Sequence, residues 1–379
     1  MSVLQRGVAA VALALALGGA ARAQERLDTV ETAPFPPATP DRLWVHDLAF
    51  NHLPDGRLHV VDPVSGAYMA QVPAGFTGFF NFSPDGAKLY MATTYYDRLT
   101  RGNKFDVLEI YDVATLTFEG EILLPPKRAM VVTYNHMIDT TADGRFVLVQ
   151  NSTPASSVTV VDMDARTVVG EIDTAGCWAV FPSTTAPRRF ATVCGDGTLE
   201  VIELDERGQQ AARTKSAQLF DPDDDPIFIQ GDHVGDVHYW VTFRGQLVAA
   251  DLSAVEPRIS EAWDFAGGVD GDWRPGGYNP VAAHAGSGRI YVGMHGGGTE
   301  GSHKTPAEEI WALDLAKREI AIRAPGHAAL AVNVSAAAEP HVFALAEGMH
   351  VVALDPANGL AEVARMEGVA ETATFALAR

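Results

Sequence analysis

The 379-residue chain carries 28 basic and 48 acidic side chains, a formal charge of −20 at neutral pH. A balance this acidic excludes nucleic acid and an anionic membrane surface as partners and suits docking onto a neutral or basic protein. Apolar residues make up 47% of the chain, with 35 glycines and 22 prolines, which describes a turn-rich protein with a large core.

The chain opens MSVLQRGVAAVALALALGGAARAQE. Arg6 and the amino terminus form a positive n-region, residues 7–20 an apolar run, and residues 21–23 an A-x-A cleavage signal. This predicts a secretory leader over 1–23, an N-terminal extension over 24–40 and an exported, periplasmic mature protein. The run is too short to span a bilayer, and no later stretch reaches the roughly 18 uninterrupted apolar residues of a membrane helix.

From residue 58 onward one pattern recurs: an apolar strand ending at an aspartate, a polar turn, then a second apolar strand. LHVVDPVSGAYMAQV (58–72), LEIYDVATLTFEGEI (108–122) and VTVVDMDARTVVGEI (158–172) are the clearest copies, and Asp62, Asp112 and Asp162 fall fifty residues apart. Weaker copies occupy 199–208, 247–259, 310–322 and 350–366. Between copies lie SPDGAKLYMAT (83–93), TADGRFVLVQN (141–151) and GSGRIYVGMH (286–295), whose Asp-Gly and Ser-Gly pairs are hairpin-turn chemistry. Two hairpins per unit make four strands. The fold class is therefore all-β, and the spacing predicts a seven-bladed β-propeller of four-stranded blades over 41–379. The aspartates are expected to start turns by binding their own backbone.

Cys177 and Cys194 are the only cysteines, with sixteen residues between them. Two cysteines do not make a four-ligand zinc site, and the spacing is not that of a Cys-x-x-Cys redox pair. In an exported chain the remaining reading is a Cys177–Cys194 disulfide.

Several stretches resemble chemistry. GGGTEG (296–301) fits G-x-G-x-x-G, with Asp314 placed 18 residues after Gly296, but the segment falls inside the repeat and EIWALD aligns with its strands, so a glycine-rich hairpin loop is expected instead of a dinucleotide site. His233 with His238, and His295 with His303, lack metal-ligand spacing. The run DPDDDP (221–226) lacks the glycine and distal glutamate of a calcium loop and reads as a solvated acidic loop. DGDWRPGGYNPVAAH (270–284) leaves two readings open: Asp272, Arg274, Tyr278 and His284 as an acid–base site, or Trp273 and Tyr278 packing while Arg-Pro-Gly-Gly turns the chain. No metal site and no catalytic residue are assigned in this chain.

At DWRPGG (272–277), SHKT (302–305), the GCW…VCGDG segment and YYDRLTRGNKFDVLEIYD (95–112), the chain resembles the heavy (large) subunit of the quinoprotein amine dehydrogenases, the methylamine and aromatic amine dehydrogenases of bacterial periplasms. The resemblance runs from residue 40 to the C-terminus. It implies an assembly of two heavy and two light subunits, with one disulfide in the heavy chain. The cofactor, tryptophan tryptophylquinone, is carried by the light subunit, so this chain's six tryptophans need no redox role. The assembly would oxidise a primary amine to aldehyde and ammonia and pass electrons to a blue-copper protein. A phenylalanine after a glycine lines the family's substrate channel. Gly75-Phe76 is the match, with Phe79 and Phe80 of GFTGFF as competitors, and this aromatic run leans toward an arylalkylamine. The competing functions are an exported scaffold propeller that binds proteins without amine chemistry, and a metal-dependent propeller enzyme such as a lactonase.

Overall fold

A computed structural model describes residues 35–130 and 134–378. The predicted leader and the first part of the extension lie outside them. The described chain is built of antiparallel β-strands with short 3-10 turns between them, and no helix in it is long and apolar enough to cross a membrane.

The repeat predicted from sequence is the unit of construction. Strand Ser157–Asp162 pairs with Thr167–Asp173, and Asp162 Oδ1 accepts the backbone N–H of Asp164 at 3.0 Å and of Ala165 at 2.9 Å, turning the chain. Asp62 does the same for Val64 and Ser65, Asp112 for Thr115, and Asp314 for Ala316 and Lys317. The Asp-Gly reversals behave as expected: Gly86 has φ +73° and Gly144 φ +68°, while Asp85 and Asp143 accept from Ala87 and Arg145 two residues on.

Burial explains why these strands read as apolar runs. Phe146–Asn151 and Ser157–Asp162 are buried at every position, whereas their outer neighbour Thr167–Asp173 is mostly open. Sheets packed face to face bury both sides of their inner strands and leave the outermost strand to solvent. Phe79, Phe181 and Trp240, each at most 1% exposed, stand in the largest apolar cluster between sheets.

The sheets are four-stranded units, some joined by shared strands. Two 16-residue strands do the joining. In Ala67–Phe82 the first part pairs with Gly56–Asp62 and the last part with Lys88–Arg98; Glu319–Val334 likewise pairs first with Ala307–Asp314, then with Val342–Ala346. The C-terminal strand Ala373–Ala378 pairs antiparallel with the first described strand, Leu43–Asp47, so the last unit contains both ends of the fold. Asp47 locks that junction. Its carboxylate accepts the N–H groups of Ala49, Glu371 and Thr372 and is met by His59 Nε2 at 3.2 Å. Burial works against the charge, but the His59 bond and the three N–H bonds outweigh it and hold the Asp47 carboxyl well below the usual carboxylate range.

Cys177 and Cys194 sit directly opposite each other in strands Cys177–Pro182 and Arg189–Cys194, and they are joined by the expected disulfide.

Candidate functional site

Three places in the described chain gather candidate functional side chains: one strand kink and two cavities. The first is the kink in strand Ala67–Phe82. Register with Lys88–Arg98 slips between Phe76 and Phe79, and Gly75 and Thr77 both take left-handed backbone angles, φ +55° and +50°. A side chain on Gly75 would meet Thr93 Oγ1 at 2.5 Å, so only glycine fits. The slip turns the Phe76 and Thr77 carbonyls away from the ladder. Phe79 and Phe80 point into packed interior, 1% and 3% exposed, whereas Phe76 keeps part of its ring open and meets Tyr96 edge to face at 6.0 Å. The hairpin of Lys88–Arg98 and Arg101–Asp112, the Arg-rich turn singled out in sequence, carries Tyr96 and ends at Leu99, 81% exposed; Phe105 and Leu123 beside it are also open.

The kink is held from below by Arg128, a residue that sequence reasoning did not single out. Its guanidinium is buried and donates to Phe76 O at 2.9 Å, Thr77 O at 2.7 Å, Ala129 O at 3.1 Å and Thr94 Oγ1 at 2.6 Å, and it lies over the Phe79 ring. Thr94 in turn donates to Asp106 Oδ1 at 2.6 Å. Burial lowers the Arg128 pKa to about 10, with Asp106 resisting, so the group stays cationic at neutral pH.

The second place is a cavity of about 820 Å³ where the two family-like motifs meet. DWRPGG and SHKT are brought together by backbone contacts: Gly277 N donates to His303 O at 3.0 Å, and a Cβ on Gly276 would stand 2.4 Å from Thr305 O. Arg274, Tyr278, His303 and Lys304 line the cavity, with Lys304 Nζ over the Tyr278 ring at 5.8 Å. Asp223 and Asp224 of the acidic loop reach its opposite wall, where Asp224 pairs with Arg244. That loop is organised by its own first residue, Asp221, which accepts from the N–H groups of Asp223 and Asp224.

A third space, about 790 Å³, is lined by residues of strands and of the turns between them, including His136, Asp139, His233, His238, Asn279 and Asn333. His136 Nε2 donates to Gly231 O at 3.0 Å, bridging separate sheets. Burial opposes charge on His136, but Asp139, the Gly231 carbonyl and Asp232 outweigh it and raise its pKa. His238 is pushed well below its ordinary value by burial, with His233 and His136 adding to it.

The acid–base reading of residues 270–284 is corrected by this geometry. Arg274 and Tyr278 face the motif cavity, but His284 lines the other space, where its ring bonds Ser287 and the Ala337 carbonyl, and Asp272 sits in a turn at φ +47°. The packing alternative accounts for Trp273, whose ring lies 5.4 Å from Trp311. Trp311 is fully buried with its indole N–H on Glu309, and Arg323 covers both rings, so Trp311 is core and the half-buried Trp273 packs against it.

The remaining motifs resolve simply. GGGTEG is a loop after strand Arg289–His295, and the segment beyond it is strand Ala307–Asp314, not a helix. His233 stacks on His238 at 5.2 Å across paired strands, and His295 bonds Gly296 O and Ser302. Among the described residues, the group of three metal-type side chains close enough to share an ion is Cys177, Cys194 and Glu200, and its two sulfurs are already bonded to each other.

Comparison with known proteins places the whole arrangement. The methylamine dehydrogenase heavy chain profile matches residues 40–378. The chain is 29% identical to the methylamine dehydrogenase heavy chain of Paracoccus versutus over 339 residues, covering 86% of this chain and 76% of that one. It is 26% identical to the heavy chain of Methylorubrum extorquens over 379 residues, covering 93% and 90%. Among solved structures, a β-propeller domain from Myceliophteria thermophila superimposes with a TM-score of 0.55 at 11% identity, over 85% of this chain and 96% of that one. Dihydro-heme d1 dehydrogenase does so at 0.56 and 19%, over 92% and 78%. At such identities these structures speak for the propeller fold alone. The match across nearly every described residue speaks for more: the chain belongs to the methylamine dehydrogenase heavy chain family.

Proposed function

We propose that this chain is the heavy subunit of an exported, periplasmic amine dehydrogenase, a seven-bladed propeller that holds a light subunit and shapes the approach to it. The family match over residues 40–378 carries this reading. Reading Ala67–Phe82 and Glu319–Val334 as strands shared by two blades each supports the seven-blade count. The assembly takes a primary amine to its aldehyde and ammonia, contains two heavy and two light subunits, and passes electrons to a blue-copper protein. The light subunit supplies the oxidising quinone, tryptophan tryptophylquinone.

The heavy chain's part is to position and exclude. Phe76, preferred over Phe79 and Phe80 because it alone keeps open ring surface, forms a wall of the amine channel, with Tyr96 behind it. The open apolar side chains Leu99, Phe105 and Leu123 on the same hairpin unit suit a face covered by a partner subunit. The heavy-chain relatives are named for methylamine, which makes it the first amine to test ahead of the arylalkylamines suggested by GFTGFF.

The test is native co-purification of this chain with its light subunit, intact-mass analysis of the small chain, and amine-dependent dye reduction. A two-tryptophan crosslink in the small chain together with amine-dependent activity supports the reading. A propeller that purifies alone, or with an unrelated partner, while amine oxidation is induced overturns it in favour of the scaffold alternative.

A further inference from the structure

The backbone that carries Phe76 is held by sheet pairing on one side only: Phe76 pairs with Thr94, and the ladder is interrupted immediately after it. Strand register breaks between Phe76 and Phe79, and left-handed residues stand on either side of Phe76. Two successive carbonyls, those of Phe76 and Thr77, are thereby turned inward, where an unpaired acceptor is costly. Arg128 reaches them from the next unit, 52 and 51 residues away in sequence, with one N–H of its fork for each. A planar guanidinium with fixed N–H directions can serve two neighbouring acceptors at once, which an ammonium on a flexible stem does poorly. The guanidinium is itself fixed: Thr94 Oγ1 accepts from it and donates to buried Asp106, and Asp106 also takes the Arg128 backbone N–H at 3.3 Å and Lys104 Nζ at 2.9 Å. The chain Asp106–Thr94–Arg128 therefore ends on the peptide that aims the Phe76 ring.

We propose that Arg128 is the positioning residue for Phe76, and that the Asp106–Thr94–Arg128 relay sets how large an amine the assembled enzyme admits. This rests on the reading of Phe76 as a channel wall, and the experiment separates the two. The co-expressed heavy–light complex is prepared as wild type, Phe76→Ala, Arg128→Lys, Thr94→Val and the double variant Phe76→Ala/Arg128→Lys. Each is assayed with methylamine, butylamine and 2-phenylethylamine, after its folding is checked by thermal unfolding.

Arg128→Lys keeps the charge and loses the fork, so the ratio of kcat/KM between the smallest and largest amine shifts in the direction set by Phe76→Ala, by about tenfold and mostly through KM. Thr94→Val, which removes only the hydroxyl link, shifts it the same way by a smaller factor. In the double variant the Arg128 change adds nothing to selectivity, because the ring it aims is gone. If Phe76→Ala shifts selectivity while the folded Arg128→Lys and Thr94→Val complexes retain the wild-type ratio, or if the two effects multiply in the double variant, the positioning role is wrong. If Phe76→Ala itself leaves the amine ratio unchanged, the channel reading fails and the proposal falls with it. Should Arg128→Lys not fold, Thr94→Val decides alone.

Discussion

Asp47 is a buried carboxylate that holds the two ends of the fold together through three backbone N–H groups and His59. Its folded pKa is depressed, so its contribution to stability is present above the ordinary carboxylate pKa and is lost as pH falls through the folded value. Asp47→Asn should cost roughly 2 kcal/mol at neutral pH, the worth of charge-assisted bonds to a buried group. In urea unfolding the gap between wild type and variant should narrow as pH is lowered toward 3. A gap that widens on acidification would contradict the assignment. Such a residue is not visible in sequence, where LWVHD reads as one more strand ending in aspartate. The same limit hid Arg128, a single arginine in LLPPKRAMVV, whose partners Phe76 and Thr77 come from another sheet. By contrast Asp62, Asp112 and Asp162 were legible because each binds N–H groups two or three residues on, a local event that local sequence specifies.

At the scale of elements, the disulfide joins two strands of one hairpin and closes a short loop, so its effect is to restrict the unfolded chain. Cys177→Ser with Cys194→Ser should lower stability by about 3 kcal/mol in the chain-entropy account. It should leave the circular dichroism spectrum unchanged, since pairs such as Phe181–Ala191 keep the register. The loop of DWRPGG makes a different demand. Gly277 has φ +109°, and a Cβ there would stand 2.5 Å from the Leu330 carbonyl. Gly277→Ala is expected to cost about 2 kcal/mol through strain and clash. Gly297→Ala also has positive φ, +64°, but meets nothing within 4 Å and should cost about 1 kcal/mol. Equal losses in thermal unfolding would show that close packing against the Leu330 carbonyl is not what requires Gly277. Sequence marked these motifs as notable without revealing why; the reason is their approach to each other, Gly277 N to His303 O, across some 25 residues.

For the whole molecule, the decisive contact is the pairing of Ala373–Ala378 with Leu43–Asp47. Removing residues 373–379 leaves Leu43–Asp47 with an unpaired inner edge and exposes the apolar faces of Val45 and Phe375's neighbours Phe80 and His46. The truncated chain should melt at a lower temperature than the full chain in calorimetry and associate with itself, as open strand edges do. A truncation that melts like the full chain would show that the ring does not depend on this closure.

Sequence by itself determined the all-β class, the four-stranded repeat, the aspartate turns, the disulfide and the family, because each rests on periodicity, on neighbours within a few residues, or on motifs read as motifs. Tertiary structure alone decided which motif residues share a cavity, that His284 stands apart from Arg274 and Tyr278, that Phe76 stays open while Phe79 and Phe80 are buried, and that Arg128 holds it there. These depend on how sheets stack and where register slips, and such long-range packing places side chains side by side that nothing in their local sequence connects.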